Sequence, residues 1–132
     1  MAYEETLKSI SLDVDSSLGF YTGVPGLPGS TDPNYGKQYC FVKIVDDHKV
    51  GLAVAATDLV IGVLQNKPQV PGQAGTIGFF GVSNIMVAGA VTAGDLLAPD
   101  GEGHAVTDAV HGKWVALLDA TTAGELVPAL RV

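Results

Sequence analysis

The residues best suited to chemistry lie between positions 95 and 111, where carboxylates and histidines are concentrated in the stretch DLLAPDGEGHAVTDAVH. Its ionisable members are Asp95, Asp100, Glu102, His104, Asp108 and His111. Carboxylate oxygens bind hard cations and an imidazole can add a nitrogen ligand, so such a set could hold a metal or act as an acid–base pair. The spacing does not match a calcium loop, which needs repeated acidic positions, a glycine at the sixth place and a glutamate at the twelfth. We therefore expect no metal here and interpret Asp100-Gly101 as the turn of a hairpin.

Two smaller features invite similar hypotheses. Asp46, Asp47 and His48 are consecutive, but neighbours in a turn rarely converge on one ion, and Asp-rich turns are ordinary hairpin chemistry. Cys40 is the single cysteine, so an internal disulfide and a multi-cysteine metal site are both excluded. Its neighbours in YCFVKIV are apolar, which predicts a small buried hydrophobic residue rather than a reactive thiol.

Motifs of common enzymes are missing from the sequence. A serine hydrolase needs G-x-S-x-G, and residues 81–85 (GVSNI) lack the last glycine. A dinucleotide site needs three glycines before a helix, and residues 101–104 (GEGH) supply only two. Neither His48, His104 nor His111 stands beside a candidate nucleophile. We expect no enzyme and no cofactor; the alternative is a small hydrolase or lyase that uses the acids and histidines of residues 95–111.

Charge and composition narrow the possible partners. The net charge is −7, and the seven basic residues are scattered along the 132 positions. Nucleic acids and anionic membranes both require clustered cations, so neither is an expected partner. No apolar run is long enough to span a bilayer and no signal peptide is recognisable, so we expect synthesis in a cytoplasm. Hydrophobic residues make up 47% and charged residues 16% of the chain, which indicates that a partner covers some of the surface.

The elements that must position these residues are short strands. Apolar runs at 60–64, 76–82, 85–87 and 96–98 are each cut off by Gly, Pro, Asn or Asp, a pattern typical of compact antiparallel β structure. Further strands are predicted within residues 9–15, 38–45, 49–55, 113–118 and 125–132. For the first of these segments a helix is the alternative, because Tyr3, Leu7, Ile10 and Val14 also fall at helical spacing. The length suits one domain with one core. The sequence therefore predicts an all-β fold, a compact barrel or sandwich.

Adjacent apolar pairs, such as Phe79-Phe80, recur along the predicted strands. Because successive side chains of a strand point to opposite faces, each pair places one apolar group on each side. Both faces must then be covered, either by a second layer or by another subunit. We take Phe79, Phe80 and Trp114 as candidates for subunit packing, with a core position as the alternative for Trp114.

An extended N-terminal arm is predicted upstream of the strands. Residues 16–38 are rich in glycine and proline, which oppose regular structure, yet they carry more apolar residues than a flexible linker does. We divide the chain into residues 1–37, an N-terminal strand and arm, and residues 38–132, a β-rich domain. The arm candidates for contact with a shell or neighbour are Phe20, Tyr21, Leu27 and Tyr35. The alternative is an ordered loop folded back over its own core.

The order of several segments resembles the head decoration, or capsid cement, proteins of tailed bacteriophages. The resemblance covers residues 38–132, and its most specific parts are GVLQNKP at 62–68 and the pattern AGD-x-L-x-x-D-x-x-G-x-A-V at 93–106. The remaining segments are QYCFVKI at 38–44, the glycine at Gly72, the step from Gly81 to Gly89, and AGELVPALRV at 123–132. The arm has no counterpart in this comparison.

The resemblance implies a β-tulip type of barrel, usually a homotrimer, with an arm that lies across the capsid. It also implies a structural virion protein on the outer surface of a phage capsid, made in the bacterial host, with the major capsid protein and other copies of itself as partners. Such a protein cements the shell through contact area and needs no catalysis. The alternative function is a glycan- or host-surface-binding β-module displayed on the virion.

Overall fold

A computed structural model describes residues 7–18, 37–67 and 72–132 of the chain. This part consists of ten short strands and one 3-10 turn at Ser16–Leu18. The strands are β1 (Lys8–Val14), β2 (Phe41–Asp46), β3 (Lys49–Leu52), β4 (Gly62–Leu64), β5 (Ala74–Phe80), β6 (Val82–Met86), β7 (Leu96–Pro99), β8 (Ala105–Thr107), β9 (Trp114–Ala116) and β10 (Leu126–Arg131). The predicted all-β fold is confirmed.

The first five strands form a closed barrel in the order β1-β3-β2-β4-β5. Closure depends on β1, which pairs in parallel with β3 and antiparallel with β5. The interior is filled by aliphatic side chains, among them Val14, Val50 and Ile77, each fully buried. Leu18 of the 3-10 turn is also fully buried in this cluster, and the Ser17 hydroxyl accepts a hydrogen bond of 2.8 Å from the Leu52 amide. The turn is therefore anchored to the barrel.

The other five strands form a second sheet in the order β6-β10-β9-β7-β8, in which every pairing is antiparallel. β10 is the longest strand of this sheet and lies between β6 and β9, and its Val127 and Ala129 point into the core. β5 passes into β6 through Gly81, whose φ of 101° belongs to the left-handed region that favours glycine. The prediction of one continuous strand over residues 76–82 is wrong, because β5 ends at Phe80 and Gly81 directs the chain from the barrel into the second sheet.

Two hydrophobic clusters replace the single core expected from the chain length. One fills the barrel, and the other contains residues of both sheets, including Trp114, Ile85 and Leu97. Strand β4 supplies both clusters, since Val63 belongs to the second cluster and Leu64 to the barrel interior. This is the outcome expected of an adjacent apolar pair on a strand with two covered faces. The expectation of a covering second layer is confirmed at this pair.

Tight turns are found at the two acidic segments for which the sequence predicts hairpins. Asp46 ends β2, Asp47 and His48 connect it to β3, and His48 adopts a positive φ of 52°. Asp100 and Gly101 lie in the connection of the β7–β8 hairpin, which is closed by a hydrogen bond of 2.9 Å from the Asp100 amide to the His104 carbonyl. Both hairpin predictions are confirmed.

The N-terminal strand β1 is a member of the barrel. The predicted division of the chain into residues 1–37 and 38–132 stays a prediction. The predicted arm falls mainly on residues 19–36, outside the described residues. Within the described part, no helix has the length and apolar character needed to cross a bilayer.

Candidate functional site

The carboxylates of residues 95–111 serve the backbone of their own turns. Asp100 Oδ1 accepts hydrogen bonds from the amides of Glu102, at 2.8 Å, and His104, at 3.0 Å. The Glu102 carboxylate lies 3.8 Å from His104 Nδ1, a loose contact in which Glu102 is largely exposed. Asp100 therefore shapes the hairpin loop through an Asx-type turn and does not point at a common centre.

Asp108 and Asp95 do the same in the neighbouring loops. Asp108 Oδ1 accepts from the amides of Val110 and His111, each at 2.9 Å, and Oδ2 lies 3.1 Å from His111 Nδ1. These hydrogen bonds, above all the one from the His111 amide, hold the pKa of Asp108 below its ordinary value. Asp95 Oδ2 accepts from the Thr92 amide and the Thr107 hydroxyl.

Two further loop carboxylates were missed by sequence reasoning. Asp58 Oδ2 accepts from the amides of Val54 and Ala55, at 2.9 and 3.1 Å, and from Lys43 Nζ at 3.0 Å. The pKa of Asp58 is lowered, chiefly by the Val54 hydrogen bond. Glu125 has a lowered pKa as well, chiefly because its carboxylate accepts from the Thr121 amide. The sequence could have indicated both turns by the spacing alone, since each acid follows by three or four residues the backbone amides that donate to it.

The described residues contain no group of three or more His, Cys, Asp and Glu side chains that could hold a metal ion. Cys40, the other chemical candidate, is buried in the barrel cluster, and burial raises the pKa of its thiol to about 12. A thiol with that pKa is almost entirely protonated near neutral pH and is a poor nucleophile. Its predicted role as a small buried hydrophobic residue agrees with this position.

The predicted contact aromatics separate into two groups. Phe79 and Phe80 end β5, with 36% and 49% of their surface exposed, and Lys8 Nζ lies 5.8 Å from the Phe80 ring centroid. Trp114 is only 1% exposed and packs in the cluster between the two sheets, so its own chain covers it. Its side chain occupies the core position given above as the alternative to a subunit contact.

The arm candidates Phe20, Tyr21, Leu27 and Tyr35 lie outside the described residues, so their predicted contacts stay a prediction.

A groove of about 270 Å³ opens between the barrel and the second sheet. Its lining includes the apolar side chains of Phe41, Leu97 and Trp114 together with the cations Lys113 and Arg131. The Arg131 guanidinium donates a hydrogen bond of 3.3 Å to the Lys113 carbonyl. The groove can accommodate an apolar group, and Asp58 and His111 also belong to its lining.

A larger surface, also missed by sequence reasoning, is the outer face of the second sheet. Side chains of β10 alternate, so Val127 and Ala129 enter the core while Leu126, Pro128 and Leu130 point outward. The register of β6, β9, β7 and β8 places further residues on the same side. We define the outer face as Val82, Asn84, Met86, Leu96, Val106, Val115, Leu117, Leu126, Pro128 and Leu130. None of these residues is charged, and all except Asn84 are apolar.

The exposure of this face is substantial. Leu126, Leu130 and Leu117 are 45%, 39% and 40% exposed, and Val82, Met86 and Val115 are half-buried. The signal in the sequence is the alternation within LVPALR and VSNIM, in which both sets of alternating positions are largely apolar. Sequence reasoning inferred a covering partner from such patterns but could not select this face without the strand order.

Comparison with known proteins identifies the fold. No protein-family model matches the chain, and no curated protein matches it. Among solved structures, the chain is similar to the N base of the head fiber protein gp8.5 of bacteriophage phi29, with a TM-score of 0.65. The similarity covers 96% of this chain and 95% of that chain at 15% sequence identity. At this identity the likeness shows a shared fold along nearly the whole length of both chains.

Proposed function

We propose that this chain is a structural, non-enzymatic component of a phage virion that binds the outer capsid surface and stabilises the shell. The observation that carries the proposal is the full-length fold similarity to a head fiber base. The sequence resemblance to capsid decoration proteins points to the same class from independent evidence. We further propose the β-tulip decoration type, a homo-oligomer, most simply a trimer, and the major capsid protein as the partner.

The surface chemistry supports this function. Hydrogen bonds occupy the carboxylates of Asp95, Asp100 and Asp108 in turns. A cement protein stabilises a shell by binding its assembled state more tightly than its separated parts, so it needs contact area alone. The net charge of −7 helps to keep densely coated particles from associating with one another.

Co-sedimentation tests the proposal. Purified protein is mixed with expanded capsids of the phage that encodes it, assembled without this chain, and with unexpanded shells as the control. We expect saturable uptake by expanded capsids and a higher temperature of capsid disruption, because a ligand of the assembled state stabilises it. Absence of uptake at any protein excess would contradict the proposed function.

A further inference from the structure

We infer that the outer face of the second sheet is the surface through which copies of this chain associate. This inference rests on the self-association that the proposed function assumes. It assigns the contact between copies to residues other than Phe79, Phe80 and Trp114. It can be tested without any capsid.

Charge is the first argument for a second copy as the occupant. A chain with a net charge of −7 repels its own copies wherever acidic surfaces meet. The outer face has no carboxylate, so two copies can approach there without placing carboxylates against each other. Its charged neighbour is the exposed cation Lys113, one residue before β9 and on the same alternating side as Val115. A basic partner would instead be attracted to the acidic loops, such as those around Asp47 and Glu102, both largely exposed.

The polar group on the face supports the same occupant. Asn84 lies on β6 between the outward-facing Val82 and Met86, and it is exposed. A primary amide carries two donors and an acceptor, so it can pair with the identical amide of another copy. Around a three-fold axis, each amide can donate to one neighbour and accept from the other, so Asn84 is compatible with the proposed trimer.

The size of the face limits how much of the contact it can supply. Its five strands contain 21 residues, which cover about 330 Å² at about 3.3 Å per residue and about 4.8 Å between strands. A standard specific interface buries about 800 Å² per partner, so residues around the face must add to the contact. Phe80 precedes Val82 by two residues, so the exposed end of β5 adjoins the face and can contribute to it.

The test is the solution mass of the full chain by light scattering over a wide dilution series. The face variant is Leu126→Glu with Leu130→Glu, and the matched control is Leu59→Glu with Val110→Glu. The control residues are 82% and 81% exposed and lie outside the face, and both double variants add the same charge. We expect wild type and control to form the same multimer of the 13.5 kDa chain, and the face variant to be a single chain.

A second variant guards against a folding defect. Asn84→Asp is nearly isosteric at an exposed site, so thermal unfolding should confirm that the fold is intact. In the assembly, the substitution places negative charges against each other. We expect its dissociation constant to rise by about tenfold or more.

Several outcomes overturn the inference: a wild-type mass of one chain at every concentration, or unchanged association of folded Asn84→Asp and face variants. Loss of capsid uptake by a face variant that still associates would also overturn it, since the face would then bind the shell. If the face variants dissociate while wild type shows no capsid uptake, the inference stands and the proposed function fails.

Discussion

At the scale of single residues, the acidic side chains that looked most chemical contribute to structure. Asp58, which was missed by sequence reasoning, shows the same structural role most clearly, since one carboxylate oxygen accepts hydrogen bonds from two amides and from Lys43. Hydrogen bonds to an ionised acceptor are stronger than those between neutral groups. Acidic side chains of this chain therefore stabilise the loops by accepting hydrogen bonds from backbone amides.

Asp58→Asn should lower the free energy of unfolding by about 1 to 2 kcal/mol at neutral pH, because it removes the charge that strengthens these hydrogen bonds. Asp47→Asn is the control: Asp47 is 91% exposed, and its side chain contacts His48 alone among the described contacts, so we expect a change within about 0.5 kcal/mol. Denaturant unfolding measures both.

The pH dependence of the Asp58 contribution follows from its lowered pKa. Its folded pKa lies below the ordinary 3.8, so the stabilisation is fully present above that value and is lost as pH falls through the folded pKa. The difference between wild type and Asp58→Asn should shrink when unfolding is measured at decreasing pH below 3.8. A difference that grows with acidification would contradict this assignment.

At the scale of elements, the barrel depends on close approach between β4 and β5. Gly62 packs where a Cβ atom would collide with the Gly78 carbonyl oxygen and lie 2.8 Å from Ile77 Cγ2. Backbone cannot move aside there without disturbing the pairing of the two strands.

Gly62→Ala should therefore destabilise the protein by about 1 to 3 kcal/mol or more, as overpacking in a closed core does. Gly89→Ala is the matched control, since a Cβ at Gly89 meets nothing within 4 Å, and its effect should stay within about 0.5 kcal/mol. Thermal unfolding compares the two, and an equal stability of both variants would refute the close-packing account.

The same scale shows how far the sequence predicts the fold. The strand β1, the hairpin turns at Asp47 and Asp100, and the two covered faces at Val63-Leu64 are predicted from local signals, and the structure agrees with each. Barrel closure by β1 against β5 is a pairing between distant segments, and no local pattern specifies it. The outer face was missed for the same reason, since it exists only after β6, β10 and β9 are placed side by side. A tryptophan such as Trp114 is equally suited to a core position and to a subunit contact, so only the packing of the folded chain decides between these two roles.

At the scale of the whole molecule, the fold presents an apolar face on the second sheet, while most acidic residues of the described part lie in loops; Asp13 on β1 and Asp46 on β2 are the exceptions. This division suits a protein that associates through the apolar face and stays soluble elsewhere. The fold similarity to a phage head fiber base extends over 96% of the chain, so the match includes both sheets and not the barrel alone.

The most direct test of the proposed virion role is a particle reconstruction. Capsids assembled without this chain are compared with the same capsids after incubation with it, and the two density maps are subtracted. We predict difference density on the outer surface of the shell that accommodates the barrel and second sheet, with the outer faces of neighbouring copies in contact. A difference map without density outside the shell, at saturating protein, would contradict the account.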